Sequence, residues 1–322
     1  MSDERNMIAE TVERLFEEHL DTTVIEVAES GIWPTALWDE IAANGLDRVL
    51  VPAEQGGIGG SWEDAFVIIR AAGRHTAPVP LAETIGAGWL LAQAGLDVPE
   101  GPLSLTDDIA RVPWAAQAVQ ILIAAGDGAF TVREPGETEI IPDRNIGRDP
   151  RDGITDPGTA TQHTGEVQTI GALVRSCQMA GAIAEVLELC VTYAGERVQF
   201  GRPIGKFQAM QQKLALLAGE SAAAGIAAQS ACRAIDRDED AMFAIAIAKI
   251  RTGEAAGKAA AISHQVFGAI GFTDEHHLHH LTRRLWSWRA EFGGERIWSE
   301  RLGRAVAEQG ADNLWPGLTQ GF

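Results

Sequence analysis

From residue 4 to about 100, apolar residues recur at helical spacing and are interrupted by turn signals, which predicts a helical domain. Leu37-Trp38-Asp39-Glu40-Ile41 opens one helix, which Gly45 closes. Val51-Pro52 followed by Gly56, Gly57, Gly59 and Gly60 predicts a loop that needs a permissive backbone. Asp64 to Ala72 resumes helix, and Pro78 and Pro80 separate it from a further helix over Glu83 to Ala94. The pattern then changes. Ala118-Val119-Gln120-Ile121-Leu122-Ile123 and Ala129-Phe130-Thr131-Val132 read as strands joined by Gly-Asp-Gly, and Asn145 to Gly158 is rich in Gly, Pro and Asp. From Gln168 onward, long Ala- and Leu-rich stretches return, broken at Phe200 to Pro203, Asp236 to Asp240 and Gly268 to Thr273. Four helices of bundle length fit that spacing, and their short connections make neighbours antiparallel. The expected fold is therefore mainly α with a small β middle domain: an N-terminal helical domain (1–105), a truncated β domain (106–166) and a C-terminal helical bundle (167–322). That order alone names no function.

Charge narrows the classes. The 322 residues carry 26 Lys and Arg against 45 Asp and Glu, a formal net charge of -19, which repels phosphate backbones and anionic bilayers. Nucleic acid is not an expected partner. The start, MSDERNMIAETVERLFEEHL, is acidic where a secretory signal would be basic and then apolar, and no later apolar run looks long enough to span a bilayer. The expectation is a cytoplasmic protein without membrane contact. Cys177, Cys190 and Cys232 have no CxxC spacing, which points to reduced, buried thiols and to neither a disulfide framework nor a metal site.

The stretch Arg197-Val198-Gln199-Phe200-Gly201-Arg202-Pro203-Ile204-Gly205-Lys206-Phe207-Gln208 ends one predicted helix and starts the next. Three-residue spacing puts Arg197 and Phe200 on one helical face, Gly201 suits the left-handed position past a helix end, and Pro203 prevents continuation. A guanidinium at such a corner can grip a pyrophosphate through two parallel hydrogen bonds. Read alone, RxxFG more often marks an Arg197 ion pair and a Phe200 buried in the core, because ion pairs outnumber ligand sites.

The string resembles the RxxFGxPIxxFQ signature of acyl-CoA dehydrogenases. The likeness extends to Leu50-Val51-Pro52-Ala53-Glu54-Gln55-Gly56-Gly57-Ile58-Gly59, similar to the family's N-terminal loop, and to Gln265-Val266-Phe267-Gly268-Ala269-Ile270-Gly271-Phe272-Thr273, similar to its QxxGGxGF segment. In that family the C-terminal bundle of one subunit binds the adenosine and pyrophosphate end of an FAD whose ring sits in the neighbouring subunit. The resemblance thus implies Arg197 at the pyrophosphate, Phe200, Gly201 and Gln208 beside it, and Gln265 and Gly268 near the ADP moiety. Glycine at 268 would let backbone amides approach phosphate oxygens.

The catalytic pattern is broken. The family oxidises an acyl thioester with a Glu that removes the α proton while the flavin accepts hydride from the β carbon. Of the two positions that supply this Glu, the resemblance puts Phe292 at one and Gly171, followed by Ala172, at the other. Glu291, one residue from the first seat, is the alternative base. Nothing in Ala115 to Glu166 resembles the TEPxAGSD-type stretch that holds the flavin ring, and Glu134-Pro135-Gly136-Glu137 reads as a plain turn. A chain with the nucleotide corner but no base resembles the short subunit of actinobacterial heteromeric acyl-CoA dehydrogenases, which act on steroid side-chain CoA thioesters. The resemblance implies an α2β2 assembly with a longer homologue, FAD shared at the interface, an acyl-CoA substrate and an electron-transfer flavoprotein as acceptor. A flavin-free scaffold of the same fold and an active homodimer using Glu291 are the competing readings.

His276 and His280, four residues apart in Glu275-His276-His277-Leu278-His279-His280, suit either a surface His cluster or two ligands of a metal with no third in sight. Trp286, Trp288 and Trp298 flank the missing base as core or contact residues, or as a plug of the vacated acyl pocket. Arg283, Arg284 and Arg289 are expected to pair with the surplus acids, and Asp236 to Asp240 to form a solvated loop.

Overall fold

In the computed structural model, residues 3–126, 128–157, 162–313 and 315 are described; Asp127 of the Gly-Asp-Gly connection and Gly158 lie outside them. Five helices built on the apolar spacing open the chain: α1 (Asp3–His19), α2 (Thr22–Glu29), α3 (Thr35–Ala43), α4 (Trp62–Arg74) and α5 (Leu81–Gln93). Ser61 starts α4 through a capping box with Asp64, two residues before the expected start. Pro80 sets the entry of α5, whose face from Leu81 to Gly88 is buried.

The middle unit holds β1 (Leu103–Thr106), β2 (Val112–Pro113), β3 (Gln120–Gly126), β4 (Ala129–Arg133), β5 (Ile140–Ile141), β6 (Arg151–Ile154) and β7 (His163–Thr164). One sheet runs β1-β3-β4-β7, with β1 parallel to β3 and the other neighbours antiparallel; the second runs β2-β6-β5. β1 begins at Leu103, on the helical side of the boundary expected at 105. Val112, Ala115, Ala118, Ile121, Ile123 and Ile154 give the unit a small core of its own.

α6 (Val167–Glu196), a hairpin of β8 (Val198–Gln199) and β9 (Arg202–Pro203), α7 (Gln208–Asp236), α8 (Met242–Phe267), α9 (Leu278–Ala290) and α10 (Glu295–Gln309) complete the fold. Three long helices and two short ones thus stand where four of bundle length were expected. The 30-residue α6 is long and apolar enough to cross a bilayer, contrary to the expectation from sequence, but 83% of its most apolar window is buried inside the fold. Its apolar character serves the core: α4, α7 and α8 all pack on it. α4 and α6 cross so closely that a Cβ on Gly73 would lie 2.0 Å from the Gln178 carbonyl oxygen, and one on Gly181 1.9 Å from that of Arg70. Only glycine allows backbones that near.

Candidate functional site

α6 stops at Glu196 because Arg197 turns extended (φ -69, ψ 113), while its amide still bonds the Tyr193 carbonyl at 2.9 Å. Phe200 (φ 52) and Gly201 (φ 80) both take left-handed conformations between β8 and β9. Positive φ at both central residues is the two-residue turn that matches strand twist. The expectation of one helical face for Arg197 and Phe200 therefore fails, and Gly201 serves the hairpin rather than a helix cap. A phenylalanine at positive φ is an outlier that needs support from its surroundings. Yet Phe200 is 92% exposed, touching only the edge of Phe207 at 6.2 Å between ring centroids. Arg202 stacks on the same Phe207 ring, its Cζ 4.3 Å from the centroid. Arg197 is exposed and makes no ion pair among the described residues, so the paired alternative is not realised. Gln208 opens α7, also exposed.

At the same end of the bundle, α8 stops at Phe267, and Gly268 (φ 64, ψ -137) has nothing within 4 Å of where a Cβ would stand. Tyr193, one turn before Arg197, stacks on Phe267 at 4.3 Å and joins the two corners. Gln265 and Gly268 border a cleft of about 490 Å³ with Gly257, His264, Phe272 and Trp286. The His264 ring stacks on Phe272 at 4.3 Å, and its burial lowers the imidazole pKa. The structure thus gathers unpaired Arg197, exposed Phe200 and Gln208, and the open backbone of Gly268 at one end of the bundle.

The loop between α9 and α10 carries Phe292, where the resemblance puts the first base seat. A Cβ built on Gly171 would stand 2.2 Å from Cδ1 of Phe292, so the two positions expected for a base, far apart in sequence, meet at one place filled by a ring. Phe292 holds φ 55 and Gly293 φ 87, and the Phe292 carbonyl accepts from Trp298 Nε1 at 2.9 Å. Glu291 points elsewhere. It accepts from Arg151 Nε at 3.0 Å, Arg175 Nε at 2.6 Å, Asn145 Nδ2 at 3.2 Å and Ser287 Oγ at 3.3 Å. Burial would raise its pKa, but Arg151 and Arg175 outweigh burial and hold it well below the usual carboxylate range. A carboxylate so reluctant to take a proton is poorly matched to general-base work near neutral pH. Arg175 also donates to Glu83 and Gln178, both at 2.5 Å.

The ends of this chain match known domains: residues 2–97 the acyl-CoA dehydrogenase N-terminal domain, and residues 168–307 the acyl-CoA dehydrogenase C-terminal domain. The chain belongs to the acyl-CoA dehydrogenase family. It is 31% identical to the acyl-CoA dehydrogenase IpdE2 of Mycolicibacterium smegmatis over 96% of this chain and 99% of that protein. To FadE34 of Mycobacterium tuberculosis it is 30% identical over 81% of this chain and 41% of that one. A variant of the steroid acyl-CoA dehydrogenase Tcur3481-Tcur3483 superposes with a TM-score of 0.85 at 22% identity, covering 96% of this chain and 99% of the other. The ChsE4-ChsE5 complex from Mycobacterium tuberculosis gives 0.83 at 18%, covering 96% and 98%.

In this acyl-CoA dehydrogenase chain, the remaining candidates resolve into structural roles. Arg283 and Arg284 pair with Glu29, Arg284 also with Asp149 at 2.8 Å, and Arg289 with Glu295. α9 begins only at Leu278, so His276 lies outside it and does not share a helical face with His280, whose Nδ1 meets Glu29 at 3.1 Å. Among the described residues, no group of three or more His, Cys, Asp or Glu is arranged to hold a metal. Trp288 and Trp298 are buried and Trp286 is 41% exposed. The three thiols are buried, Cys177 and Cys232 with sulfurs 3.6 Å apart, and burial pushes the Cys190 thiol up to about 12. Another cleft, of about 1550 Å³, differs in character: Glu54, Glu166, Asp236, Asp238, Glu239 and Asp240 line it with Arg301, a mainly acidic rim that repels a CoA phosphate.

Sequence reading missed Arg151, Arg175, Glu83 and Lys249. Lys249 Nζ donates to the Trp288 and Arg289 carbonyls, both at 2.9 Å, and burial lowers its pKa to about 7. One signal was available. Arg175 is the single cation of α6, and a cation in the apolar first half of that helix asks for a buried partner.

Proposed function

We propose that this chain is the subunit of a heteromeric, FAD-dependent acyl-CoA dehydrogenase that contributes the adenosine and pyrophosphate grip while a longer homologue supplies the catalytic base and the flavin ring site. The observation that carries this reading is Arg197, an exposed and unpaired guanidinium on a strained hairpin, next to the end of α8 where Gly268 leaves its backbone open. A planar fork of donors beside open amides suits a pyrophosphate. Bound FAD would supply the electron sink for forming the α,β-double bond of an acyl-CoA. Arg197, with Phe200, Gly201 and Gln208 around it and Gln265 and Gly268 opposite, would hold the nucleotide end. The chain keeps no free carboxylate at the base seats: Gly171 and Phe292 occupy them, and Glu291 is bound by two arginines.

A steroid side-chain CoA thioester as substrate is supported by the steroid acyl-CoA dehydrogenase among the structural neighbours. A partnership of unlike chains is supported by the ChsE4-ChsE5 complex; an α2β2 stoichiometry and an electron-transfer flavoprotein as acceptor are part of the same proposal. The assembly would work in the cytoplasm.

Expression alone and with a longer homologue separates the readings, with flavin absorbance and acyl-CoA-dependent dye reduction as readouts. Yellow, active protein only on co-expression is the expected result. Colourless protein in both samples would favour a flavin-free scaffold, and activity of the chain alone would favour Glu291 as base. Arg197→Ala should strip flavin from the complex and leave thermal unfolding of the subunit unchanged, because the side chain is exposed and makes no ion pair among the described residues. Unchanged flavin content would remove Arg197 from its role.

A further inference from the structure

We infer that Phe292 is a plug: this chain's own acyl-thioester site is closed to substrate, and does not merely lack a base. The inference rests on the function proposed above, and it follows from what lies on each side of one ring.

In front of Phe292 is a cleft of about 390 Å³ bordered by Thr106, Asp107, Gln168, Gly293 and Ile297. Phe292 forms its wall and is itself only 4% exposed. Under the ring lies Gly171, with no space for even a methyl group between them. Behind the ring stands Arg175, its Cζ 5.6 Å from the ring centroid, bonded to Glu83, Gln178 and Glu291. Around these charges, with Trp114 and Trp288, only about 10 Å³ stays free. That is room for one water at most, against the roughly 150 Å³ that holds a benzene-sized ligand. The filling is also of the wrong kind, because an apolar acyl chain would have to displace a paired, buried charge network.

The plug is held from several directions. Glu291 is anchored by Arg151 and Arg175 on one side of it, and the Phe292 carbonyl by Trp298 on the other. Lys249 ties down the last carbonyls of α9 just upstream. The left-handed backbone of Phe292, at φ 55, is the kind of strain that persists only where the surroundings over-determine it. Thioester binding to an assembly of this chain and its partner should therefore occur at the partner's sites alone.

The test is a calorimetric titration of crotonyl-CoA, a short enoyl thioester, into the flavin-bearing complex. Wild type should bind one equivalent for each pair of one long and one short chain. Phe292→Ala should add a second, weaker class of sites, because losing the ring joins the front cleft to the space above Gly171. Two equivalents on wild type, or no second class with Phe292→Ala, would overturn the plug. Should Phe292→Ala fail to fold, the wild-type stoichiometry decides alone. If no flavin-bearing complex forms, the proposed function is what fails. The plug is then read on this chain by itself, where wild type should bind no crotonyl-CoA and Phe292→Ala should bind it; the reverse pattern refutes it.

Discussion

Asp236, the last residue of α7, accepts from the backbone amides of Trp62 at 2.7 Å and Glu63 at 2.9 Å, capping α4 from the far side of the fold. Together with Ser61, whose hydroxyl accepts from Asp64 N, it satisfies three of the amides that a helix start leaves unpaired. Asp236 was expected in a solvated loop; it instead fastens the N-terminal helices to the bundle. Asp236→Ala should lower stability by about 1 kcal/mol, and Asp236→Asn by less, since an amide oxygen still accepts but the charge at the helix start is gone. Urea midpoints of the three proteins check this, and an alanine variant as stable as wild type would show that the cap contributes nothing.

The meeting of Gly171 and Phe292 makes a second prediction. Gly171→Ala puts a methyl inside the ring's contact distance and should cost about 1–3 kcal/mol by overpacking. Phe292→Ala leaves a cavity and should cost about 3–5 kcal/mol. The double variant should cost less than the two together, because the new methyl enters the vacated space, and a favourable coupling of about 1 kcal/mol or more is expected from the cycle. Strict additivity would mean that the two side chains do not share the site.

Much of this architecture was legible in the chain. The apolar spacing around Trp38 and Ile41, the prolines at 78 and 80 and the glycines from 56 to 60 act locally, so they mark elements wherever the rest of the chain goes. The family resemblance likewise brought Phe292 and Gly171 forward, and the fold puts them in contact. The rest depends on partners that leave no periodic trace. Arg197 reads as helix because the string before it is helical, yet the hairpin at Phe200 and Gly201 ends that helix one residue earlier. Glu291 looked like a displaced base because its neighbours in sequence say nothing of Arg151 and Arg175, which arrive from the β unit and from α6. His276 and His280 share a helical spacing without sharing a helix, since α9 starts between them. Periodicity reports the faces of elements; it is silent on which buried charges those faces bring together.

The buried carboxylate of Glu29 carries the acid stability of the junction between α2 and α9. Burial alone would raise its pKa, but the hydrogen bond from His280 and the charges of Arg284 and Arg283 outweigh it, and the carboxylate is held down to about 2 from an ordinary 4.5. The folded state therefore binds a proton at Glu29 less readily than the unfolded chain does. Its stabilising contribution is complete above pH 4.5 and is lost as pH falls toward 2, because there the unfolded chain takes up a proton first. A displacement of this size corresponds to about 3 kcal/mol at neutral pH. Glu29→Gln removes the titration, takes its anion from Arg283 and leaves Arg284 with Asp149 alone, so the variant should be less stable than wild type at neutral pH by about that amount. Unfolding in urea at a series of pH values from 6 down to about 2.5 should show the gap between the two proteins narrowing below pH 4.5, since only wild type loses a contribution there. A gap that stays constant through that window would mean that Glu29 does not titrate between its folded and unfolded values, and that the arginines do not hold its charge.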